Sequence, residues 1–285
     1  MPIAAGFYDR YDAVLMKWPV PHEPADLPGR FGVTHVNVCG ADGGSPVVLL
    51  PGGRSTSAGW YANVGALAPA HRVYAVDILG DAGRSVPGGE PVASRDDIVA
   101  WLDGVLDSLG VDVTALGGHS YGGWIAARYA IARPERVSSL VLVDPTDTFS
   151  ATPLDFRLRG IPLFLGRDPG RFRRFRQWET GGRPVDPEFL DLWAGPFGGP
   201  RAGRFVWPKV PRPAGLARLT MPVLVFAAGQ SRQNKAAALA GAARKLPDAR
   251  VVELADATHF TVPQDRPDEI NPVLADFLAH AADRE

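Results

Sequence analysis

The chain has 285 residues, 46% hydrophobic and 21% charged, so it can bury a full core as one α/β domain or as one domain with an insertion. Its formal net charge of −1 gives no whole-molecule attraction to nucleic acid or to an anionic membrane, and its single cysteine, Cys39, excludes an intramolecular disulfide. No stretch reaches the ~20 apolar residues that span a bilayer, and residues 1–6 lack the pattern of a signal peptide, which predicts a cytoplasmic protein.

Short β-rich segments alternate with segments whose apolar residues recur at helical spacing, after an N-terminal arm of residues 1–30. The predicted strands are 34–38, 47–50, 72–78, 113–116, 138–144, 221–227 and 250–254. The predicted helices are 61–67, 95–109, 124–132, 234–246 and 269–280. Continuous apolar strands between helices indicate a mainly parallel sheet covered on both faces, whose ligands bind at the carboxyl ends of the strands.

Residues 149–217 interrupt this alternation and divide the core into 31–148 and 218–285. About seventy residues without a strand pattern are too many for a loop and favour an inserted helical cap. Its many aromatic side chains suggest a pocket for an apolar or aromatic acyl group, although they could simply pack the cap onto the core. They are Phe156, Phe164, Phe172, Phe175, Trp178, Phe189, Trp193, Phe197, Phe205 and Trp207. The arginines between Arg171 and Arg176 are interpreted as a solvated face.

Residues 116–123 read Leu-Gly-Gly-His-Ser-Tyr-Gly-Gly between a predicted strand and a predicted helix. Gly118 to Gly122 thus fit G-x-S-x-G, the pattern of a serine nucleophile on a sharp strand-to-helix turn. Such a turn strains the central residue and brings the residues two before and two after it together, so that only glycine fits at both flanks. Ser120 is therefore predicted to present Oγ at the carboxyl edge of the sheet, beside the first amides of a helix.

A serine nucleophile needs a base, which in this arrangement is a histidine after the last strand. His259 follows the strand that ends at Leu254, so we interpret it as the base. His119 adjoins the serine but projects to the other side of the turn, and a structural role is favoured for it. Acyl transfer also needs donors for an oxyanion; the predicted ones are the amides of Tyr121 and of Gly53, in the glycine loop after the strand 47–50.

These residues resemble the α/β-hydrolase superfamily over almost the whole chain. The resemblance is carried by Leu50-Pro51-Gly52-Gly53, the segment 76–81, the turn at Ser120, Val143-Asp144-Pro145 and His259. It implies the α/β-hydrolase fold, an α/β fold in which helices flank a mainly parallel sheet and a helical cap is inserted after the sixth strand. Segments 18–20, 30–36 and 74–81 are also similar to bacterial carboxylesterases that cleave naproxen-type arylpropionate esters.

The catalytic acid departs from the pattern of the family. Members commonly place it about three residues beyond Gly229, where this chain has Arg232 and no carboxylate. A histidine base needs an anion on its other ring nitrogen to fix the tautomer and stabilise the imidazolium. Asp144 is the first choice, because some relatives, pancreatic-type lipases among them, have their acid at this strand end; its alternative is a loop-capping role. Asp147 is the second choice and Asp256 the third.

The sequence therefore predicts a serine esterase that cleaves a carboxylic ester by two-step acyl transfer through Ser120, His259 and Asp144. No metal or organic cofactor is implied, and the expected partner is a small-molecule ester; the oligomeric state is not indicated. One alternative is a thioesterase, acyltransferase or cyclase, in which the Arg171 to Arg176 cluster receives the phosphate of a carrier arm. Another is a non-catalytic ligand-binding protein on a hydrolase scaffold, which the missing carboxylate at Arg232 favours.

Overall fold

A computed structural model describes residues 6–163, 168–194 and 206–282, and within these ranges nine strands form one sheet. The strands are β1 (His22–Gly29), β2 (Gly32–Gly40), β3 (Ser45–Leu50), β4 (His71–Val76), β5 (Val86–Pro87), β6 (Thr114–His119), β7 (Val137–Val143), β8 (Val223–Ala228) and β9 (Ala249–Leu254). Their order is β1-β2-β4-β3-β6-β7-β8-β9, with β5 paired to β2. The pairs from β4 across to β9 are parallel, and β2 pairs antiparallel with β1, β4 and β5.

Helices separate most of these strands. They are α1 (Phe7–Leu15), α2 (Val64–Leu67), α3 (Arg95–Ser108), α4 (Ser120–Ala132), α5 (Leu154–Gly160), α6 (Pro169–Glu179), α7 (Pro187–Ala194), α8 (Pro213–Leu216), α9 (Ala236–Ala243), α10 (Val262–Asp265) and α11 (Pro267–Ala282). A capping box starts α3: the Ser94 hydroxyl accepts the Asp97 amide at 3.1 Å, and the Asp97 carboxylate accepts the Ser94 amide at 2.8 Å. In the described part of the chain, no helix is both long enough and apolar enough to cross a membrane.

Both faces of the sheet are covered, as predicted. Neighbouring residues of a strand point to opposite faces, and each face of β3 belongs to a different apolar cluster. Val48 and Leu50 pack with residues of α3 and α4, whereas Val47 and Leu49 pack with residues of α2 and α11. Strands that are apolar on both sides read as continuous hydrophobic runs, which is why the sequence indicated a parallel sheet.

The arm predicted for residues 1–30 needs one correction. Residues Phe7–Leu15 of the arm form α1, which buries Phe7, Tyr11 and Val14. However, β1 pairs with β2 along its whole length, so residues 22–29 are an edge strand of the core sheet. Pro24 and Pro28 concealed this strand, because proline argues against a central strand but is tolerated at an edge, where fewer N–H groups must be paired.

The insertion leaves the core after β7, which is the sixth strand when the two-residue β5 is not counted. Its described residues contain α5 to α8 and no strand. Phe164, Phe197 and Phe205 lie outside the described residues. The exact division of the chain at residues 148 and 218 stays a prediction.

Candidate active site

Ser120 lies at the junction of β6 and α4 with a φ of +53°, a left-handed conformation that non-glycine residues rarely adopt. A Cβ atom on Gly118 would lie 2.4 Å from the carbonyl group of Gly122. A Cβ atom on Gly122 would lie 2.4 Å from the carbonyl oxygens of Leu50 and Pro51. The predicted strand-turn-helix geometry is therefore present, and both flanking positions require glycine for lack of space.

Three side chains form one hydrogen-bonded chain at the carboxyl edge of the sheet. Ser120 Oγ lies 2.8 Å from Nε2 of His259, and Nδ1 of His259 lies 2.6 Å from Oδ2 of Asp144. The exposed fractions of Ser120, His259 and Asp144 are 8%, 3% and 0%, so all three are buried. The structure thus brings together the three residues that the sequence analysis placed first.

The two other candidate acids are engaged elsewhere. Asp147 forms an ion pair with Arg157 at 3.0 Å and accepts the backbone amide of Thr152 at 2.6 Å. Asp256 is exposed and pairs with Arg266 at 3.0 Å. Of the three aspartates, Asp144 alone contacts His259 among the described residues.

The loop after β8, where the family's usual acid is missing, supplies hydrogen bonds to Asp144 instead. The Ser231 hydroxyl donates to Oδ2 of Asp144 at 2.8 Å, and Nδ2 of Asn234 donates to the backbone carbonyl of Asp144 at 3.3 Å. Burial by itself raises the pKa of Asp144, but the hydrogen bond and charge of His259, together with Ser231 and Asn234, hold this pKa below its usual value. Asp144 is therefore an ionised carboxylate. The sequence analysis did not predict the roles of Ser231 and Asn234.

A second hydroxyl touches the serine. Thr146 Oγ1 lies 3.1 Å from Ser120 Oγ, and Nε2 of Gln233 donates to Thr146 Oγ1. Because a carboxylate only accepts, His259 donates through Nδ1 and accepts from Ser120 through Nε2. The Gln233 donor leaves the Thr146 proton to point at Ser120 Oγ. In this arrangement each group donates a hydrogen bond to the next, from Gln233 through Thr146, Ser120 and His259 to Asp144.

The two predicted oxyanion residues lie against each other beside Ser120. A Cβ atom on Gly53 would be 3.4 Å from Cβ of Tyr121. The Tyr121 amide belongs to the first turn of α4, the end of a helix at which N–H groups point outward and the dipole is positive. That these two amides hold an oxyanion stays a prediction.

His119, for which a structural role was favoured, donates through Nε2 to the backbone carbonyl of His259 at 2.7 Å. Burial, and then repulsion by His259, lower its pKa to about 3, so the ring is neutral. The hydrogen bond links the serine turn to the loop that carries His259. It supports a positioning role for His119.

This buried histidine predicts acid sensitivity. The folded protein resists protonation of His119 until about pH 3, whereas the unfolded chain takes up the proton near pH 6.5, so stability is lost as the pH falls from 6.5 towards 3. At pH 5 this loss amounts to about 2 kcal/mol. A His119→Gln variant keeps an Nε2 donor without the titration, and its free energy of urea unfolding should fall less between pH 7 and pH 5 by that amount. Equal falls in the two proteins would contradict the assignment.

Aromatic side chains of the cap pack around Ser120 and His259. Phe156 packs edge-on against His259 with ring centroids 6.3 Å apart, and Phe189 stacks on Phe260 at 5.3 Å. Nε1 of Trp193 lies 3.5 Å from the carbonyl oxygen of Gly53. A cavity of about 20 Å³, enough for one water molecule, remains between the cap and Ser120. A larger cavity of about 210 Å³ borders Tyr121 but not Ser120.

The arginines of α6 do not form the single solvated face that was predicted. Arg173 and Arg174 are exposed and pair with Asp191 and Asp168 at 2.7 and 3.4 Å. Arg176 instead points into the protein and lines the small cavity beside Ser120. Helix geometry explains the difference. Arg176 lies four residues after the buried Phe172 and therefore on the same face of α6, whereas Arg173 lies one residue after Phe172 and is turned away from that face.

Among known proteins, the chain is similar to two carboxylesterases of Bacillus subtilis. The chain is 38% identical over 143 residues to carboxylesterase YbfK and 37% identical over 151 residues to the uncharacterized carboxylesterase nap, both of Bacillus subtilis (strain 168). The aligned segments cover 50% and 53% of this chain and 48% and 50% of those proteins, about half the length of each.

The crystal structure of naproxen esterase (carboxylesterase NP) from Bacillus subtilis superposes with a TM-score of 0.87 at 26% identity, covering 95% of this chain and 96% of that chain. The sequence also matches the family described as the alpha/beta hydrolase family over residues 47–273, most of its length. The chain therefore belongs to the α/β-hydrolase family.

Proposed function

We propose that this protein is a serine esterase that hydrolyses a carboxylic ester by two-step acyl transfer. The observation that carries the proposal is the hydrogen-bonded chain from Ser120 through His259 to Asp144, with distances of 2.8 and 2.6 Å. A serine hydroxyl becomes a nucleophile at neutral pH when a neighbouring base takes its proton, and a buried carboxylate orients that base. The carboxylesterases among the relatives are consistent with this activity.

In the first step, Nε2 of His259 takes the Ser120 proton while Oγ bonds to the ester carbonyl carbon. The carbonyl electron pair moves to oxygen, and the amides of Gly53 and Tyr121 hold the resulting oxyanion. When the carbonyl re-forms, the bond to the alcohol oxygen breaks and Nε2 gives its proton to the leaving alcohol. The acyl group then remains on Ser120, and Asp144 has stabilised the transient imidazolium.

In the second step, Nε2 of His259 takes a proton from water, whose oxygen bonds to the acyl carbon. Collapse of this second oxyanion breaks the acyl bond to Ser120, and Nε2 returns the proton to Oγ. The carboxylic acid leaves and the enzyme is regenerated. Thr146 donates to Ser120 Oγ at 3.1 Å and so assists at the point where negative charge develops on this oxygen.

We further propose that the acyl group is apolar or aromatic. Phe156, Phe189 and Trp193 of the cap line the approach to Ser120 and His259, and such surfaces bind hydrocarbon groups by removing them from water. The cavity of about 20 Å³ is too small for an ester, so cap side chains must move when a substrate binds. The thioesterase alternative is less favoured, because two arginines of the cluster, Arg173 and Arg174, pair with carboxylates and a third, Arg176, is buried beside Glu179.

A substrate panel tests this proposal. p-Nitrophenyl esters of acetic, hexanoic and phenylpropanoic acid share one leaving group, so differences in kcat/KM report the acyl group alone. We expect the phenylpropanoate to be preferred over the acetate by at least about tenfold, since burial of its extra apolar surface is worth more than 1.4 kcal/mol. Preference for acetate would contradict the apolar pocket, and faster cleavage of the matching acyl-thioesters would favour the thioesterase.

A further inference from the structure

The cap places a buried charged residue beside the nucleophile, and the mechanism above does not use it. Arg176 of α6 is 8% exposed and lines the same cavity as Ser120 and His259. Its guanidinium carbon lies 3.7 Å from the ring centroid of Trp193 and 4.0 Å from that of Phe260. Two aromatic rings therefore hold the planar group in one orientation.

Glu179 neutralises the charge of Arg176 but does not accept a hydrogen bond from every N–H group of the guanidinium. Nη1 of Arg176 donates to Oε2 of Glu179, which lies one turn later in α6 and is 1% exposed. Nε of Arg176 is buried and has no hydrogen-bond partner among the described residues. Nε and Nη2 share the edge of the guanidinium that Glu179 does not occupy. A buried N–H without a partner is costly, so a native protein that keeps one invites a functional explanation.

We propose that this free edge of Arg176 binds a neutral oxygen acceptor, a ketone or an ether oxygen, in the acyl group of the substrate. The inference rests on the proposed esterase function and narrows its substrate class. Nε lacks a partner in the described part of the free enzyme, and the cavity beside Arg176 has a volume of about 20 Å³. When cap side chains move to admit an ester, a substrate oxygen placed against Nε supplies the missing hydrogen bond, whereas a methylene group would leave the N–H unpaired.

The charge balance selects a neutral acceptor over a carboxylate. Glu179 already compensates Arg176, so a second carboxylate would add an uncompensated negative charge inside an aromatic cavity. Asp144, also buried and ionised, would repel it further. A ketone or ether oxygen accepts the hydrogen bond with no such charge. The site therefore suits acyl groups that are mostly hydrocarbon and carry one oxygen.

The substrates for the test are p-nitrophenyl esters of straight-chain acids in which one methylene, moved along the chain, is replaced by a ketone or an ether oxygen. The plain hydrocarbon ester is the reference, and a half-ester with a terminal carboxylate is the charged comparison. At the best position we expect kcat/KM to exceed that of the hydrocarbon ester by about 10- to 100-fold. The carboxylate ester should be poorer than the ketone.

The test variant is the double change Arg176→Met and Glu179→Leu, which removes both charges and leaves neither partner buried alone. We expect the preference for the oxygen-bearing ester to fall to about one while the hydrocarbon ester is still cleaved. Arg173→Met is the matched control, since this exposed arginine of the same helix pairs with Asp191, and it should keep the preference. Labelling of Ser120 by a fluorophosphonate verifies that each variant is folded.

Three outcomes overturn the inference: no oxygen position is preferred by the parent protein, the preference survives in the double variant, or the carboxylate ester is the best substrate. Equal losses for oxygen-bearing and hydrocarbon esters also overturn it, because they would mark Arg176 as a general contributor to catalysis. Failure of the esterase proposal looks different, since no ester would be cleaved and Ser120 would not be labelled.

Discussion

A Ser120→Ala variant should lose ester turnover almost completely, with kcat lower by about 10⁶-fold. In the proposed mechanism Ser120 Oγ gives its proton to Nε2 of His259, which lies 2.8 Å away, and no acyl-enzyme forms without this oxygen. His259, Asp144 and the two amides would remain, but their effects depend on acting together with the nucleophile. The variant should fold normally, because alanine removes only one hydroxyl group from the strained turn.

The measurement is hydrolysis of p-nitrophenyl acetate, combined with labelling by a fluorophosphonate. Ser139→Ala is the matched control: Ser139 is also buried, lies in the adjacent strand β7, and has a hydroxyl without a hydrogen-bond partner among the described residues. The parent protein and the control should hydrolyse the ester and be labelled at one serine. Turnover at the parental rate by Ser120→Ala would refute the mechanism.

The core strands could be predicted because each is a continuous apolar run, which can be recognised in the sequence without knowledge of the fold. The limits of the prediction have physical causes. β6 extends to His119, beyond the predicted residues 113–116, because Gly117 and Gly118 pair with β7 despite the low strand preference of glycine. Close packing sets this choice, since a Cβ atom on Gly117 would lie 2.8 Å from a side-chain carbon of Leu49.

Some residues of the candidate site could also be predicted from the sequence, whereas others could not. Ser120 is marked by a local pattern, and His259 by its place after the last strand. The acid was left open between three aspartates, because only the folded chain shows that Asp147 faces Arg157 while Asp144 faces His259. The contact of Thr146 with Ser120 is likewise visible only in the folded chain, because the residues next to Thr146 in sequence do not distinguish it from other threonines.

Burial of charge was the hardest feature to predict. The arginines of α6 look alike along the sequence, yet Arg176 alone among Arg173, Arg174 and Arg176 is buried. Its burial depends on Glu179, on two aromatic rings and on where the cap meets the core. Contacts between segments more than eighty residues apart, such as Arg176 with Phe260, cannot be inferred from local spacing.

An Asp144→Asn variant should lower kcat by about 10⁴-fold while leaving the fold intact. Asparagine has nearly the same shape but carries no charge, so it cannot stabilise the imidazolium form of His259. Its amide can also donate to Nδ1, which would move the histidine proton to Nε2, the atom that must accept from Ser120. Steady-state hydrolysis across pH 6 to 9 measures the loss, which should persist at all these pH values.

Two controls separate this role from a loop-capping one. Asp256→Asn changes an exposed aspartate paired with Arg266 and should retain turnover close to that of the parent protein. A second change, Ser231→Asp in the Asp144→Asn background, restores a carboxylate in the loop after β8, because Ser231 Oγ lies 2.8 Å from the Asp144 carboxylate. Partial recovery, of about tenfold or more, would show that His259 requires a nearby anion. If Asp144→Asn itself retained parental turnover, Asp144 would be a structural residue and the acid would have to lie elsewhere.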